Sequence, residues 1–365
     1  VKLAHSLRSE SYATIGLRDA MAETLKAGSL ADLGSQGDEP NEPFDVLHVP
    51  PGTDPARLHP YFRELLDRPG RAPARAVVKE IGPWLAPSDP HFVEEFQFRQ
   101  FDQRLWELYL WAAFRELGFD VTVMHAEPDG RNINLRCGST APDLLQLTVA
   151  GIGADVGIGL DGDGDRLVMV DHLGRLVDGD HLLYVIARDR KAQGELQGPV
   201  VGTVMSNLGL ELALAAEGIE FRRAKVGDRY VLAMLREAGG MLGGETSGHL
   251  LCLDRTTTGD GLVSALQVLA VMKRTGRRLA ELTAGMTRFP QVMVNVRVRE
   301  RVDPGRSPAI QDAVRRVEQA LGGTGRVVLR ASGTEPLIRV MVEGRDESVV
   351  QRHADELAEV VRQAG

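Results

Sequence analysis

Three carboxylates separated by single glycines, Asp161-Gly162-Asp163-Gly164-Asp165, with Arg166 directly behind them, are the residues of this chain best suited to chemistry. At an effective dielectric near 20, carboxylates about 4 Å apart repel by roughly 4 kcal/mol per pair, so three on one short loop call for a cation. With oxygen donors and neither His nor Cys among them, a hard ion is indicated, Mg²⁺ or Ca²⁺ rather than zinc. The Asp-x-Asp-x-Asp pattern also opens a calcium-binding hand, but that reading fails. Counting from Asp161, the sixth residue is Arg166 where the turn needs Gly, and the twelfth is His172 where a bidentate Glu belongs. A solvated acidic turn is the plainer alternative. Against it stand the apolar flanks, Asp155–Leu160 and Leu167–Asp171, which read as buried strands and place the carboxylates at a strand end.

Four further runs carry polar residues at turns. Arg330-Ala331-Ser332-Gly333-Thr334-Glu335-Pro336 joins two strands; its hydroxyls, its glycine and the guanidiniums of Arg330 and Arg339 can surround one dianion, although a plain hairpin turn has the same turn residues. Gly243-Gly244-Glu245-Thr246-Ser247-Gly248-His249 offers a carboxylate, hydroxyls and an imidazole, the mixed donors and acceptors that sugar hydroxyls want, or else a solvated turn. Lys225-Val226-Gly227-Asp228-Arg229-Tyr230 opens a helix, so Asp228 reads equally as an N-cap. In Met205-Ser206-Asn207-Leu208-Gly209, Asn207 reads as a cap.

The elements that must position these residues divide the chain. Of its 18 aromatic residues, 14 lie at or before Phe119, and 11 of its 18 prolines at or before Pro90, so the first 113 or so residues differ in kind from the rest. Residues 34–60 look loop-like or poorly ordered, and 101–117 carry an apolar helical face of Phe101, Leu105, Leu108 and Ala112, widened by Trp111, Phe114 and Leu117. Strand and helix then alternate: a strand over 119–124, a helix over 141–150, the two strands flanking the acidic loop, and a doubly wound βα succession from Gly179 to about 290. The last stretch reads β, α, β, β, α, a small α+β layer structure. The expected domains are 1–113, an unassigned Pro-rich loop plus aromatic helix; 114–178, a partial metal-binding α/β domain; 179–290, a sugar-binding α/β domain; and 291–365, a phosphate-binding α+β domain.

Composition narrows the class of partner. The chain has 365 residues, 43% hydrophobic and 26% charged, with a net charge of −8, which speaks against general nucleic-acid or membrane-surface binding and leaves room for a small phosphorylated ligand. Cys137 and Cys252 are far apart and in no metal-ligand spacing, as expected of reduced thiols in a cytoplasmic protein. No run approaches the roughly 20 apolar residues of a membrane helix. Nothing in the sequence fixes an oligomeric state.

Taken in order, the acidic loop, the Lys225–Tyr230 run, Gly244–His249 and Arg330–Pro336 resemble the α-D-phosphohexomutase superfamily, over about 250 residues from Phe114 onward. Gly202–Asn207 and Thr257–Gly261 favour the branch acting on glucosamine phosphate, with a phosphomannomutase or phosphoglucomutase relative as the alternative. The resemblance implies an isomerase that moves phosphate between O6 and O1 of the sugar through a bisphosphorylated intermediate, for amino-sugar nucleotide synthesis. It implies Mg²⁺ on Asp161, Asp163 and Asp165. It also implies substrate contacts from Arg166, Asp228, Arg229, Glu245, Ser247 and His249, with Arg330, Ser332, Gly333, Thr334 and Arg339 gripping the non-reacting phosphate. One departure stands out: the family's Thr-Ala-Ser-His-Asn-Pro phosphoserine loop has no counterpart here. The nearest fragment, Ala86-Pro87-Ser88-Asp89-Pro90-His91, has the order wrong. A phosphosugar-binding protein without catalysis is therefore the second reading.

Overall fold

The computed structural model describes residues 45–85, 92–99, 104–105, 108, 122, 124–125, 131–298, 303–331 and 336–364. The expected helix over 101–117, the strand over 119–124, Ser88, and the tip Ser332, Gly333 and Thr334 fall wholly or mostly outside these. The chain divides into two compact units, Val1–Leu145 with Ile158–Gly164, and Gln146–Gly157 with Asp165–Gly365.

In the first unit, residues 45–59 are turns and a short 3₁₀ segment, loop-like as expected, yet Val46 is fully buried. Helices α1 (Pro60–Asp67) and α2 (Ala72–Leu85) follow, neither anticipated from sequence. Phe62 and Leu65 of α1 pack with Val46, Val78, Phe92 and Phe96 into one core. Gln97 anchors the loop by donating to the Val46 and His48 carbonyls, each at 2.9 Å.

Most of the alternating region lies in the second unit, with Ile158–Gly164 assigned to the first. Helix α3 (Asp143–Ile152) precedes β1 (Val156–Leu160), β2 (Leu167–Asp171) and β3 (Leu176–Val177), a sheet of order β1-β2-β3. The acidic loop is the β1–β2 connection, as its apolar flanks indicated. Next come α4 (Gly179–Gln193), β4 (Val200–Thr203), α5 (Leu208–Ala216), β5 (Phe221–Ala224), α6 (Asp228–Ala238), β6 (Leu242–Gly244), β7 (Leu250–Cys252), α7 (Gly261–Thr275) and α8 (Leu279–Thr283). The sheet order is β5-β4-β6-β7, parallel except for β7, which runs antiparallel to β6 in the register Gly244↔Leu250. Strand β7 was not foreseen, since Leu-Leu-Cys is too short to carry a period.

The C-terminal stretch folds in the expected order as β8 (Gln291–Arg297), α9 (Pro308–Leu321), β9 (Gly325–Ala331), β10 (Leu337–Gly344) and α10 (Glu347–Ala364). Its sheet, β8-β10-β9, is antiparallel. Ile310, Ala313 and Val317 of α9 and Val350, Ala354, Leu357 and Val361 of α10 bury against Ile338, Val340 and Val342. These positions recur at helical and strand spacing, so both helices lie on one face of the sheet.

Candidate functional site

Parallel strands β5, β4 and β6 end at Ala224, Thr203 and Gly244, and the three polar runs 225–230, 205–209 and 245–249 begin there, at the carboxyl ends where doubly wound sheets place ligands. Residues Glu245–His249 form the loop of the β6–β7 hairpin, closed by Glu245 N–H to His249 O at 3.0 Å. Gly248 sits at φ 91, and a β-carbon there would lie 1.8 Å from Leu167 O. Only glycine fits, and Leu167 N–H donates to Gly248 O at 3.1 Å, which pins the hairpin to the start of β2.

This contact brings two of the motifs together. His249 is buried, and its Nδ1 lies 3.1 Å from Asp165 Oδ2. Glu245 Oε1 accepts from Gly227 N–H at 2.9 Å, tying the hairpin to the 225–230 run. Ser247 is exposed beside it. Asp228 and Arg229 are exposed at the start of α6, and Arg229 donates to Tyr230 Oη at 2.9 Å. Asp228 is not the N-cap: Gly227 takes that position at φ 123, and Asp228 is the first helical residue. Asn207 does cap α5, accepting from Gly209 N–H at 3.0 Å.

In the acidic loop, Asp161, Asp163 and Asp165 each offer an oxygen within 4.8 Å of the others. Gly164 turns the chain at φ 73, and Gly164 N–H donates to Asp161 O at 3.2 Å. Asp161 is buried, and Asp165 Oδ1 is buried without a hydrogen-bond partner, with Arg166 Nε 3.9 Å away. On the C-terminal sheet, Arg330 of β9 and Arg339 of β10 stand opposite each other at the mouth of the hairpin. Arg330 is exposed and Arg339 half-buried.

Sequence reasoning missed the residues behind these loops. Asp180, buried at the start of α4, accepts from Asn207 N–H at 2.8 Å and Thr246 Oγ1–H at 2.9 Å, so one carboxylate holds two of the runs. Burial first, and the neighbouring Asp178 charge second, push its pKa up to about 6. Asp178 caps α4 through His181 N–H and pairs with Arg288 at 2.5 Å. Burial presses its carboxyl upward, but the His181 hydrogen bond and charge, with Arg288, outweigh it and leave the pKa below the ordinary value. The available signal was Asp178-Gly179-Asp180 ahead of an apolar helix, which reads as ordinary capping.

A family model described as "Phosphoglucomutase/phosphomannomutase, alpha/beta/alpha domain III" matches residues 178–289, and one for the C-terminal domain matches 293–360. Over this part the chain belongs to the phosphohexomutase superfamily. Within that superfamily it is similar to phosphoglucosamine mutases: 60% identical over 251 residues to that of Methylococcus capsulatus, covering 69% of this chain and 56% of the relative. With the Legionella pneumophila (strain Lens) protein it shares 56% over 250 residues, 68% of this chain and 55% of the relative. The chain thus spans about half the length of the curated relatives it matches. Two solved structures share the fold. Aspergillus fumigatus N-acetylphosphoglucosamine mutase, in complex with GlcNAc-6P and magnesium, has a TM-score of 0.58 at 24% identity, covering 70% of this chain and 59% of that one. A Burkholderia thailandensis phosphoglucomutase/phosphomannomutase family protein has a TM-score of 0.57 at 24% identity, covering 71% and 58%. Among the described residues no helix is long and apolar enough to cross a membrane.

Proposed function

We propose that this chain carries the metal-, sugar- and phosphate-binding parts of an isomerase that interconverts glucosamine 6-phosphate and glucosamine 1-phosphate. The observation that carries the reading is the contact of the Glu245–His249 hairpin with the acidic loop through His249 and Asp165, which sets hydroxyl-reading groups beside a cation site. The acidic loop fits Mg²⁺. Its donors are carboxylate oxygens alone, and the buried Asp165 Oδ1 accepts no hydrogen bond, which suits it to a metal ion. Bound there, Mg²⁺ would supply charge neutralisation for phosphoryl transfer.

The chain's own residues have separable roles. Glu245 keeps Oε2 for a sugar hydroxyl while Oε1 holds the Gly227 turn, and Ser247 adds a second group that both donates and accepts. Arg330 and Arg339, with Ser332, Gly333 and Thr334, grip the phosphate that does not react. Arg166 and His249 flank the transferring phosphate, and Asp228 and Arg229 rim the site. Phosphosugar binding without turnover is the second reading, because the 365 residues hold no Thr-Ala-Ser-His-Asn-Pro run to carry the phosphoryl group.

The test is calorimetry with glucosamine 6-phosphate and Mg²⁺, followed by an isomerisation assay primed with glucosamine 1,6-bisphosphate. Saturable binding is expected, with Mg²⁺ affinity reduced at least tenfold by Asp163→Asn. Isomer formation decides for catalysis, binding alone for the second reading, and absence of binding removes both.

A further inference from the structure

The Met205–Leu208 turn, in sequence only a helix cap, is held from several sides. Glu343, fully buried near the end of β10, accepts from Leu208 N–H at 2.9 Å and from Arg326 Nε–H at 2.5 Å. Arg326, on β9, also donates to Val204 O at 2.8 Å and Ser206 O at 2.5 Å. Leu208 is the first residue of α5, so the Glu343 carboxylate sits where unpaired helix N–H groups and the positive end of the helix dipole favour an anion. Asn207 exchanges two hydrogen bonds with the Phe289 backbone, at 2.9 and 3.0 Å, on the run entering β8. From the other side, Asp180 accepts from both Asn207 N–H and Thr246 Oγ1–H. One turn therefore anchors the hydroxyl-reading hairpin and the C-terminal sheet.

The register of that sheet gives the anchor its reach. Arg326 pairs with Glu343 and Arg330 with Arg339 on the same β9–β10 ladder, four residues apart. At about 3.4 Å per residue the arginine end lies roughly 14 Å from the anchored end. A tilt of about 10° at the anchor carries the guanidiniums roughly 2 Å, more than a hydrogen bond tolerates. Truncating one member of such a buried pair strands the other charge, so an isosteric change is the cleaner probe.

We propose that Glu343 and Arg326 are positioning residues, which lock the β9–β10 hairpin to the turn ahead of α5 and so set the angle at which Arg330 and Arg339 meet the phosphate of a bound phosphosugar. This rests on the phosphosugar reading above, and its test separates the two. Nitroxide labels at Arg236→Cys and Glu318→Cys, both exposed positions, report the distance between α6 and α9 by pulsed EPR, the native Cys137 and Cys252 being buried. Glu343→Gln is expected to broaden that distribution at least twofold and weaken glucosamine 6-phosphate binding about tenfold, while inorganic phosphate, which needs only the hairpin, stays within about twofold. Leu208→Pro removes the backbone N–H that Glu343 accepts and leaves the Arg326 pair in place. Proline suits a first helical position, and Asn207 at φ −60, ψ 141 already has the pre-proline conformation. It should give the same pattern at smaller amplitude, and it decides the matter if Glu343→Gln does not fold. An unchanged distribution in the folded variants, or an equal loss for both ligands, overturns the proposal. A broadened distribution in a protein whose parent binds no sugar phosphate supports the lock and discards the phosphosugar reading.

Discussion

Asp180→Asn isolates one buried charge. With its pKa raised from 3.8 to about 6, Asp180 binds its proton more tightly in the folded chain than in the unfolded one. Between those two values the native state therefore holds the extra proton, and stability falls as pH rises through the window. A rise of about two pH units corresponds to about 3 kcal/mol, full below pH 4 and gone above pH 6 or so. Asp178 works in the opposite sense: its depressed pKa gives stability that is present above 3.8 and lost only as pH falls below it, outside this window. Asparagine keeps an acceptor for Asn207 N–H and Thr246 Oγ1–H but cannot ionise.

The readout is the difference in melting temperature between parent and variant, followed by circular dichroism from pH 4.5 to 7.5. For a unit of this size about 1 kcal/mol moves the midpoint by roughly 2–4 °C, and about 2 kcal/mol of the effect falls between pH 4.5 and 7.5, so the variant should gain roughly 4–8 °C on the parent across that range. Subtraction cancels every other titrating group to first order. A flat difference refutes the argument, since it would mean that Asp180 changes ionisation alike in both states. The loop supplies a second arm. If Asp180 matters to the Glu245–His249 hairpin as an acceptor, Asp180→Asn should bind glucosamine 6-phosphate within about threefold of the parent. Asp180→Ala, which strands two donors, should lose tenfold or more.

Three further outcomes follow from the geometry. Arg330→Ala and Arg339→Ala should each weaken phosphate binding by calorimetry about tenfold, the scale of one lost charge-assisted hydrogen bond, with Arg330→Ala leaving the melting temperature unmoved because that side chain is exposed. Gly248→Ala should destabilise the fold by about 2 kcal/mol or more in thermal scans, since φ 91 and a contact of 1.8 Å with Leu167 O cannot both be kept. Cys252, buried with its thiol pushed up to about 11 by burial, should resist a thiol-specific reagent at pH 8 until the chain is unfolded.

What could be read from sequence was whatever left a periodic or local trace. The stripe Val350, Ala354, Leu357 and Val361 marks a helix, alternation in Gln291–Val298 marks a strand, and glycine between aspartates marks a tight loop, because each constraint acts within a few residues. Helices α1 and α2 were missed because prolines at 55, 60, 69, 73 and 83 read as loop, while Pro60 sits at a first helical position where it is well tolerated. Long-range pairings leave no such trace. Glu343 follows Val340-Met341-Val342 as an acid at the end of an apolar strand, and nothing near it in sequence announces Arg326, 17 residues away, or Leu208, 135 away.

The same asymmetry sorts the site itself. Groups expected to touch ligand, such as Asp163, Ser247 and Arg330, stand exposed on loops and strand ends where residue type alone hints at chemistry. Groups that aim them, Asp180 and Glu343, are buried acids held by donors from distant segments, and a buried acid without its partners would be too costly to keep. Their burial therefore requires the contacts that hold the loops. A sequence that encodes a ligand site in short motifs must encode the aim of that site in isolated polar residues, and those become legible only when the chain is folded.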